Sequence, residues 1–361
     1  MEWTLFALVT LITATITVLP LSRCEAWWIR GLDFPRVQFM TLAGVVMLFA
    51  LWRLDLSHLG SLAIVGINFA CLLYHAWWIW PYTRLHPKEV KSASAAQAEH
   101  TIKILSSNVL ATNNNAQCLI DLVHQYSPDI LVTLESTHWW QQQLAVLETD
   151  YPHTIKCPLD NLYGMHVYSR LPLENSTIEY LVQDDVPSMH CLVQLPCGAK
   201  IRTHFVHPAP PSPTENDEST ERDAELLAVA DSVADARLPV IVAGDLNDVA
   251  WSTTTRLFRK ISGLLDPRIG RGMFNTFHAQ HWFIRWPLDH LFHSHHFRVI
   301  KLHRLTLTGS DHFALLTCLG FTPNKDNGHS ELPVDTDDQQ LAEQKMAKEN
   351  VNKSDVPELI K

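Results

Sequence analysis

The sequence predicts an α/β domain carried behind a membrane segment of three helices. Three long apolar runs precede residue 81, strand-like and helix-like segments alternate from 100 to 320, and residues 321–361 are polar and poor in aromatics. Averaged over 361 residues the chain is 47% hydrophobic and 18% charged, and the average hides this asymmetry.

Trp3 to Leu21 carries no charge; Val37–Trp52 and Leu59–Trp80 follow as apolar runs, the middle one extending back toward Phe34. Each approaches the ~20 residues that cross a hydrocarbon core of ~30 Å. A backbone in lipid must satisfy its own hydrogen bonds, so the runs read as helices, about 3–21, 35–52 and 59–80, within a transmembrane segment 1–86. Trp27, Trp28, Trp77, Trp78 and Trp80 lie near their ends, where interfacial aromatics concentrate. The first run lacks a basic n-region and a small-x-small site before Arg23, so it reads as a retained span. Arg23, Arg30, Arg36, Arg84, Lys88 and Lys91 fall on one side of the spans and Arg53 alone on the other, which places the large domain in the cytoplasm. Asn68 and His75, inside the third run, read as helix–helix hydrogen-bonding groups.

Residues 87–99 read as a linker, since Lys91–Ala98 (KSASAAQA) is small, polar and unpatterned. The tail, 321–361, reads as disordered, with Gln339–Glu349 as a transient helix. Seven irregularly spaced cysteines without a CxxC pair give neither a zinc knuckle nor a disulfide framework, and read as mostly buried small apolar residues. Residues 99–320 hold 16 Lys+Arg against 24 Asp+Glu, a balance that disfavours coating nucleic acid by charge alone. Between Arg256 and Arg304, however, nine basic residues face only Asp266 and Asp289, either as a basic face for an anionic substrate or as solvated surface.

Within 100–320, β-rich runs at Ile102–Leu110, Pro128–Glu135, Gly164–Ser169, Met189–Leu195, Lys200–Val206, Pro239–Ala243, Pro287–His293, Phe297–Leu305 and Phe313–Leu319 read as strands. Cys118–Val123, His138–Leu147, Thr220–Ala236 and Ser252–Lys260 read as helices, with Asn115 as a cap for the first. Alternation of this kind predicts helices covering sheet faces. Polar residues recur where strands end: Asn108, Glu135, His207, Asp245 and Asn247 in GDLN, Asp289 in PLDH, and Asp311 with His312 in GSDH. Strand ends are where a rigid scaffold presents chemistry. Each also has a plain structural reading: Asn108 as a turn residue, Glu135 as a surface acid, GDLN as a helix-capping turn, Asp289 and His312 as a structural pair. Their order within one domain favours a site.

The segments SSNVL, PDILVTLE, GMHVYSRLPL, HFVHPAPP, VIVAGDLNDVAWS, PLDHLF and GSDHFAL resemble the endonuclease/exonuclease/phosphatase superfamily over about residues 100–320. That superfamily includes pancreatic deoxyribonuclease, abasic-site endonucleases, sphingomyelinases and inositol polyphosphate phosphatases. The resemblance implies a four-layer α/β/β/α sandwich, and the three spans with HPAPP resemble a bacterial branch anchored in the inner membrane. It also implies Glu135 as ligand to Mg²⁺ or Mn²⁺, with Asn108 nearby and Asp311 contributing; oxygen donors suit such a cation. Asp245 would orient or deprotonate the attacking water, and Asn247 would hydrogen-bond the phosphoryl group. His312 would contact the scissile phosphate, held by Asp289, and His207 would serve as a second acid or phosphate ligand. Departures are a missing acidic partner for His207, His166 on a strand position usually apolar, and a poor match at Tyr163. The cluster His293, His295 and His296 reads as a polar loop rather than a metal site.

Three functions follow. The first is a membrane-anchored metal-dependent phosphoesterase, cleaving a phosphodiester or phosphomonoester of a lipid or lipid-linked substrate. The second is a membrane-associated nuclease, supported by the Arg256–Arg304 stretch but lacking aromatics interleaved with basic residues for stacking single strands. The third is a non-catalytic membrane interaction protein retaining the fold. The expected partners are a phosphate-ester substrate, lipid-linked or nucleic acid, and the bilayer, with no obligate protein partner. Loops Pro208–Ser219 and Ile269–Trp286 are expected to decide the substrate, since fold does not.

Overall fold

The structure, a computed structural model, describes residues 2–93, 100–323 and 331–359. Four N-terminal helices come first: α1 (Glu2–Val18), the short α2 (Trp27–Arg30), α3 (Arg36–Arg53) and α4 (Leu59–Ile79). Three segments, Glu2–Leu21, Arg36–Arg53 and Leu59–Tyr82, are long and apolar enough to cross a membrane. Their few polar side chains meet one another: Asn68 donates to the Thr10 hydroxyl at 2.7 Å, and Thr17 Oγ1 lies 3.0 Å from His75 Nε2. Both contacts join α1 to α4, the role their position in an apolar run implies.

The domain that follows has eleven strands: β1 (Thr101–Asn108), β2 (Ile130–Leu134), β3 (His153–Cys157), β4 (Met165–Ser169), β5 (Leu173–Glu179), β6 (Ser188–Gln194), β7 (Lys200–Phe205), β8 (Val240–Asp245), β9 (Asp289–His293), β10 (Phe297–Thr306) and β11 (Phe313–Phe321). They form a six-stranded sheet, β10-β11-β1-β2-β4-β3, and a five-stranded sheet, β5-β6-β7-β8-β9. Side chains alternate across a strand, so each strand feeds two layers. Ile102 and Ile104 of β1 meet Ile241 and Ala243 of β8 in the core between the sheets. Leu105 and Leu131 point the other way, onto α5 (Ala116–Tyr126) and α6 (His138–Leu144). Val240, Val242 and Phe292 likewise turn outward to α7 (Thr220–Ala234) and α8 (Thr253–Ser262). The result is the four-layer α/β/β/α sandwich.

Two strands were not foreseen. β3 and β5 each lie at one edge of their sheet, opposite β10 and β9, and in β5 no residue is fully buried. An edge strand pairs on one side and keeps polar residues, so its alternation is weak. The linker expected over 87–99 is partly docked: Val90 is buried, and Ala93 N donates to Val299 O at 2.9 Å. The remainder, 94–99, lies outside the described residues, as do 324–330 of the tail.

The larger correction concerns the tail. Instead of being disordered, Thr336–Lys348 forms α9, opened by an Asp335–Asp338 capping box. Ala342 and Met346, with Val351 and Val356 beyond them, join the core over α7. A few apolar residues suffice because charge does the rest. Lys345 Nζ lies 2.8 Å from Asp223 Oδ2 and also bonds Glu25, which Lys348 engages too. Burial opposes the charge on Asp223, yet the Arg222 guanidinium and Lys345 hold its carboxyl well below the usual range.

A carboxyl so depressed stabilises the fold at pH above its unfolded value, about 3.9, and that stability is lost as pH falls through the folded value. Lys345→Met removes one of the depressing charges. The acid-unfolding midpoint, followed by tryptophan fluorescence, is expected to move to higher pH; an unchanged midpoint contradicts the clamp.

Candidate active site

β1, β2 and β8 end at one edge of the sandwich, and the antiparallel β9 and β11 begin there. This brings residues distant in sequence to one cleft of about 270 Å³ lined by Asn108, Glu135, His207, Asp245, Asn247, Asp311 and His312. The backbone is shaped for it. Glu135 and Asn247 are held at φ 57° and 51°, left-handed values that cost energy for side-chain-bearing residues and recur at functional sites. Gly244, just before Asp245, is obligatory, since a Cβ there would lie 1.9 Å from Val206 O.

His312 is the electrostatic centre. Its Nδ1 donates to Asp289 Oδ2 at 2.8 Å, and its Nε2 lies 3.5 Å from Asp245 Oδ2. Burial disfavours the imidazolium, but Asp289 and Asp245 outweigh it and raise its pKa to about 10. Asp245 is brought below the usual carboxylate range, since His312 and His207 overcome the burial that would raise it. Burial dominates at Asp289 and pushes its carboxyl up. Asp289 is fixed from behind by Thr276 Oγ1, which accepts from its backbone N–H at 3.1 Å.

The second half of the cleft centres on Asn108. Its Nδ2 donates to Glu135 Oε1 at 2.8 Å and to Asp245 Oδ2 at 3.2 Å, and Ala111 N–H donates to Glu135 Oε2 at 3.1 Å. Burial raises the Glu135 carboxyl despite these donors. Asp311 Oδ1 is buried without a hydrogen-bond partner among the described residues. A carboxylate pushed toward protonation and an orphaned carboxylate oxygen, lining one cleft with an amide, form an oxygen donor set suited to a hard divalent cation. Among the described residues, the only convergent group of three His, Cys, Asp or Glu is Asp245, Asp289 and His312. That group is already joined through His312, whereas Glu135, Asn108 and Asp311 are the oxygen donors that could hold a cation on the other side of the cleft.

His207 Nε2 lies 4.0 Å from Asp245 Oδ2, while burial lowers its pKa. Tyr163, a poor match by sequence, lies beside it with ring centroids 5.5 Å apart and donates to Glu215. Glu215 was missed because it lies in a loop without strand periodicity. Phe34 was missed too: it belongs to the N-terminal segment yet lines the cleft. His166 is a buried β4 residue 3.5 Å from Thr133 Oγ1 and plays no part in the cleft. In the histidine loop, His293 and His296 bond Ser294, and His295 faces Glu331. Three of the nine basic residues of the Arg256–Arg304 stretch are neutralised by acids: Arg259 pairs with Glu89, Lys260 with Asp338 and Arg268 with Asp266.

The profile of the Endonuclease/Exonuclease/phosphatase family matches residues 105–312. The chain belongs to this family. Its members are hydrolases of phosphoesters, which fits a cleft built from carboxylates, amides and imidazoles at strand ends. No curated protein matches the sequence. Among solved structures, an endonuclease/exonuclease/phosphatase from Beutenbergia cavernae is 17% identical with TM-score 0.51, over 62% of this chain and 72% of its own. D. rerio TDP2 complexed with single-strand DNA product is 18% identical with TM-score 0.51, over 61% and 99%. The human Nocturnin catalytic domain with bound sulfate is 18% identical with TM-score 0.50, over 62% and 95%. At such identities the likeness is one of fold.

Asp289→Asn removes the strongest support of the imidazolium. The His312 titration, followed by ¹⁵N-histidine NMR, is expected to fall from near 10 toward the ordinary imidazole range.

Proposed function

We propose that the chain is a membrane-anchored phosphoesterase dependent on Mg²⁺ or Mn²⁺, acting on a lipid or lipid-linked phosphate ester from the cytoplasmic side of a bacterial inner membrane. A cation held by Glu135, Asn108 and Asp311 would polarise a phosphoryl oxygen and offset developing charge. Asp245, ionised and aimed into the cleft, orients a water and takes its proton. His312, charged and steadied by Asp289, hydrogen-bonds the phosphoryl oxygens. Asn247 and His207 complete the polar lining, with His207 placed to assist the leaving oxygen.

One observation carries the choice of substrate: Phe34, two residues before α3, is part of the catalytic cleft. Phe34 and Pro211 are shared with an adjoining apolar groove of about 270 Å³ walled by Trp27, Pro35 and Trp286. Trp282 and Phe283, 80% and 56% exposed, crown the loop on the same side, where Gln38 Nε2 donates to Phe283 O at 2.7 Å. An ester with an apolar portion fits such an apolar mouth better than a polyanion does.

Full-length protein is expected to hydrolyse bis(p-nitrophenyl) phosphate or p-nitrophenyl phosphate with Mg²⁺ or Mn²⁺, and to stop in EDTA. Asp245→Ala and His312→Ala are each expected to lower turnover about 10²–10⁴-fold. Glu135→Gln is expected to raise the metal concentration needed for half-maximal rate. Turnover indifferent to EDTA and to these substitutions overturns the reading. A phospholipid ester in mixed micelles should outcompete single-stranded DNA; the reverse order favours the nuclease.

A further inference from the structure

A second cavity, of about 610 Å³, shares no lining residue with the cleft that holds Asp245 and His312. It lies where the end of α4 meets the domain, between Trp77, Trp78 and Trp80 on one side and Arg256 and Arg259 of α8 on the other. Trp77 and Trp80 are 56% and 47% exposed at the end of an apolar segment long enough to cross a bilayer, the position of an interfacial aromatic belt.

Its polar groups are mostly donors. The Arg256 guanidinium lies over the Trp77 and Trp78 rings, 5.2 and 5.9 Å from their centroids. No carboxylate pairs with it among the described residues. Arg259, whose side chain is 5% exposed, gives one terminal nitrogen to Glu89, while its Nε has no partner there. Trp78 Nε1 is likewise buried without an acceptor. Lys88 adds a further cation at the rim. The acids that line the cavity are themselves paired: Glu89 with Arg259 inside it, and Glu331 with His295. Unpaired donors over an aromatic floor suit a phosphate anion, since charge-assisted hydrogen bonds from arginine are strong and phosphate offers several acceptor oxygens.

We propose that this cavity binds the phosphate of an anionic phospholipid headgroup, separately from the catalytic site. The lipid is favoured over free phosphate because the opening lies beside exposed tryptophans at the end of α4, where acyl chains would continue into the bilayer. Basic pockets beside membrane helices are known to select anionic lipid in this way. The site rests on the reading of α4 as a membrane span, and it acts as a lipid lock between the helices and α8.

The test uses full-length protein in nanodiscs of phosphatidylcholine with and without phosphatidylglycerol. Retained lipid is measured by native mass spectrometry after release into detergent. Wild type is expected to keep phosphatidylglycerol over phosphatidylcholine, and Arg256→Gln to lose about five-fold or more of that preference. Trp78→Phe, which keeps a ring beneath Arg256 but deletes the orphaned donor, should lose part of it. Unchanged hydrolysis of a water-soluble nitrophenyl ester by both variants shows that they fold. Equal retention of the two lipids by wild type, or an undiminished preference in Arg256→Gln, overturns the proposal while leaving the anchor intact. Inorganic phosphate displacing the lipid at millimolar concentration overturns the choice of lipid over free anion. Failure of the chain to enter nanodiscs overturns the anchor itself, and this proposal with it.

Discussion

Two carboxylates and one imidazole meet at the floor of the cleft, and their charges must balance where water hardly reaches. Asp245, Asp289 and His312 are each at most 4% exposed. At a low local dielectric an unpaired charge there costs several kcal/mol, so removing one partner of a buried group penalises those left behind. The imidazolium of His312 is what lets Asp245 remain ionised, and Asp289 is what lets His312 remain charged. Each role depends on the neighbour behind it. The arrangement also separates the two carboxylates chemically: Asp245 is depressed and free to act as a base, whereas Asp289 is raised and committed to holding the ring. Two carboxylates that share one partner but are shifted in opposite directions, Asp289 upward by its burial and Asp245 downward by His312 and His207, can take different parts in one reaction.

The sandwich exists to bring that triplet together. Asp245 ends β8, Asp289 opens β9 and His312 stands one residue before β11, so the triplet spans both sheets. Only the packed core between the sheets fixes their separation. Gly244 allows β8 to lie against Val206 without a side chain intervening, and left-handed backbone at Glu135 and Asn247 turns those side chains into the cleft. Such strain persists where the surroundings over-determine the conformation.

This division explains what was legible in the sequence. β1, β2 and β8 are central and buried on both faces, so their apolar runs stood out, and the polar residue closing each run marked the site: Asn108, Glu135 and Asp245. Of the outer strands, β9 and β10 keep buried or alternating apolar residues and were legible, whereas β3 and β5 carry polar side chains and escaped notice. The tail escaped for a different reason. Its helix α9 is held by Lys345 reaching Asp223 and Glu25 across more than a hundred residues, and composition carries no trace of such a pairing. Likewise the Arg256–Arg304 stretch reads as uniformly basic, and only folding gives three of its nine cations, Arg259, Lys260 and Arg268, their acids. Local sequence reports periodicity and capping; it does not report which distant charge a side chain will meet.

The same limit hid how the helices and the domain are joined. A mobile linker would leave the cleft free to sample any direction. Instead Trp251 Nε1 donates to Asp33 O at 3.0 Å, Gly270 N–H donates to Pro81 O at 2.9 Å, and Trp27 N–H donates to Asp217 O at 2.9 Å. Three separate points of the N-terminal segment are thereby tied to three loops of the domain. The first and third lie just before Phe34, which forms part of the cleft wall, and the second follows it at the end of α4, so the segment that enters α3 lines the cleft and is more than a tether. Cutting the domain away before residue 100 would remove that wall along with the anchor. The triplet's contacts lie within the sandwich and would remain, but the cleft would lose the apolar wall on which the proposed choice of substrate rests. On the proposed reading, selectivity would belong to the helices and the sandwich together, whereas the residues proposed to react all lie in the sandwich.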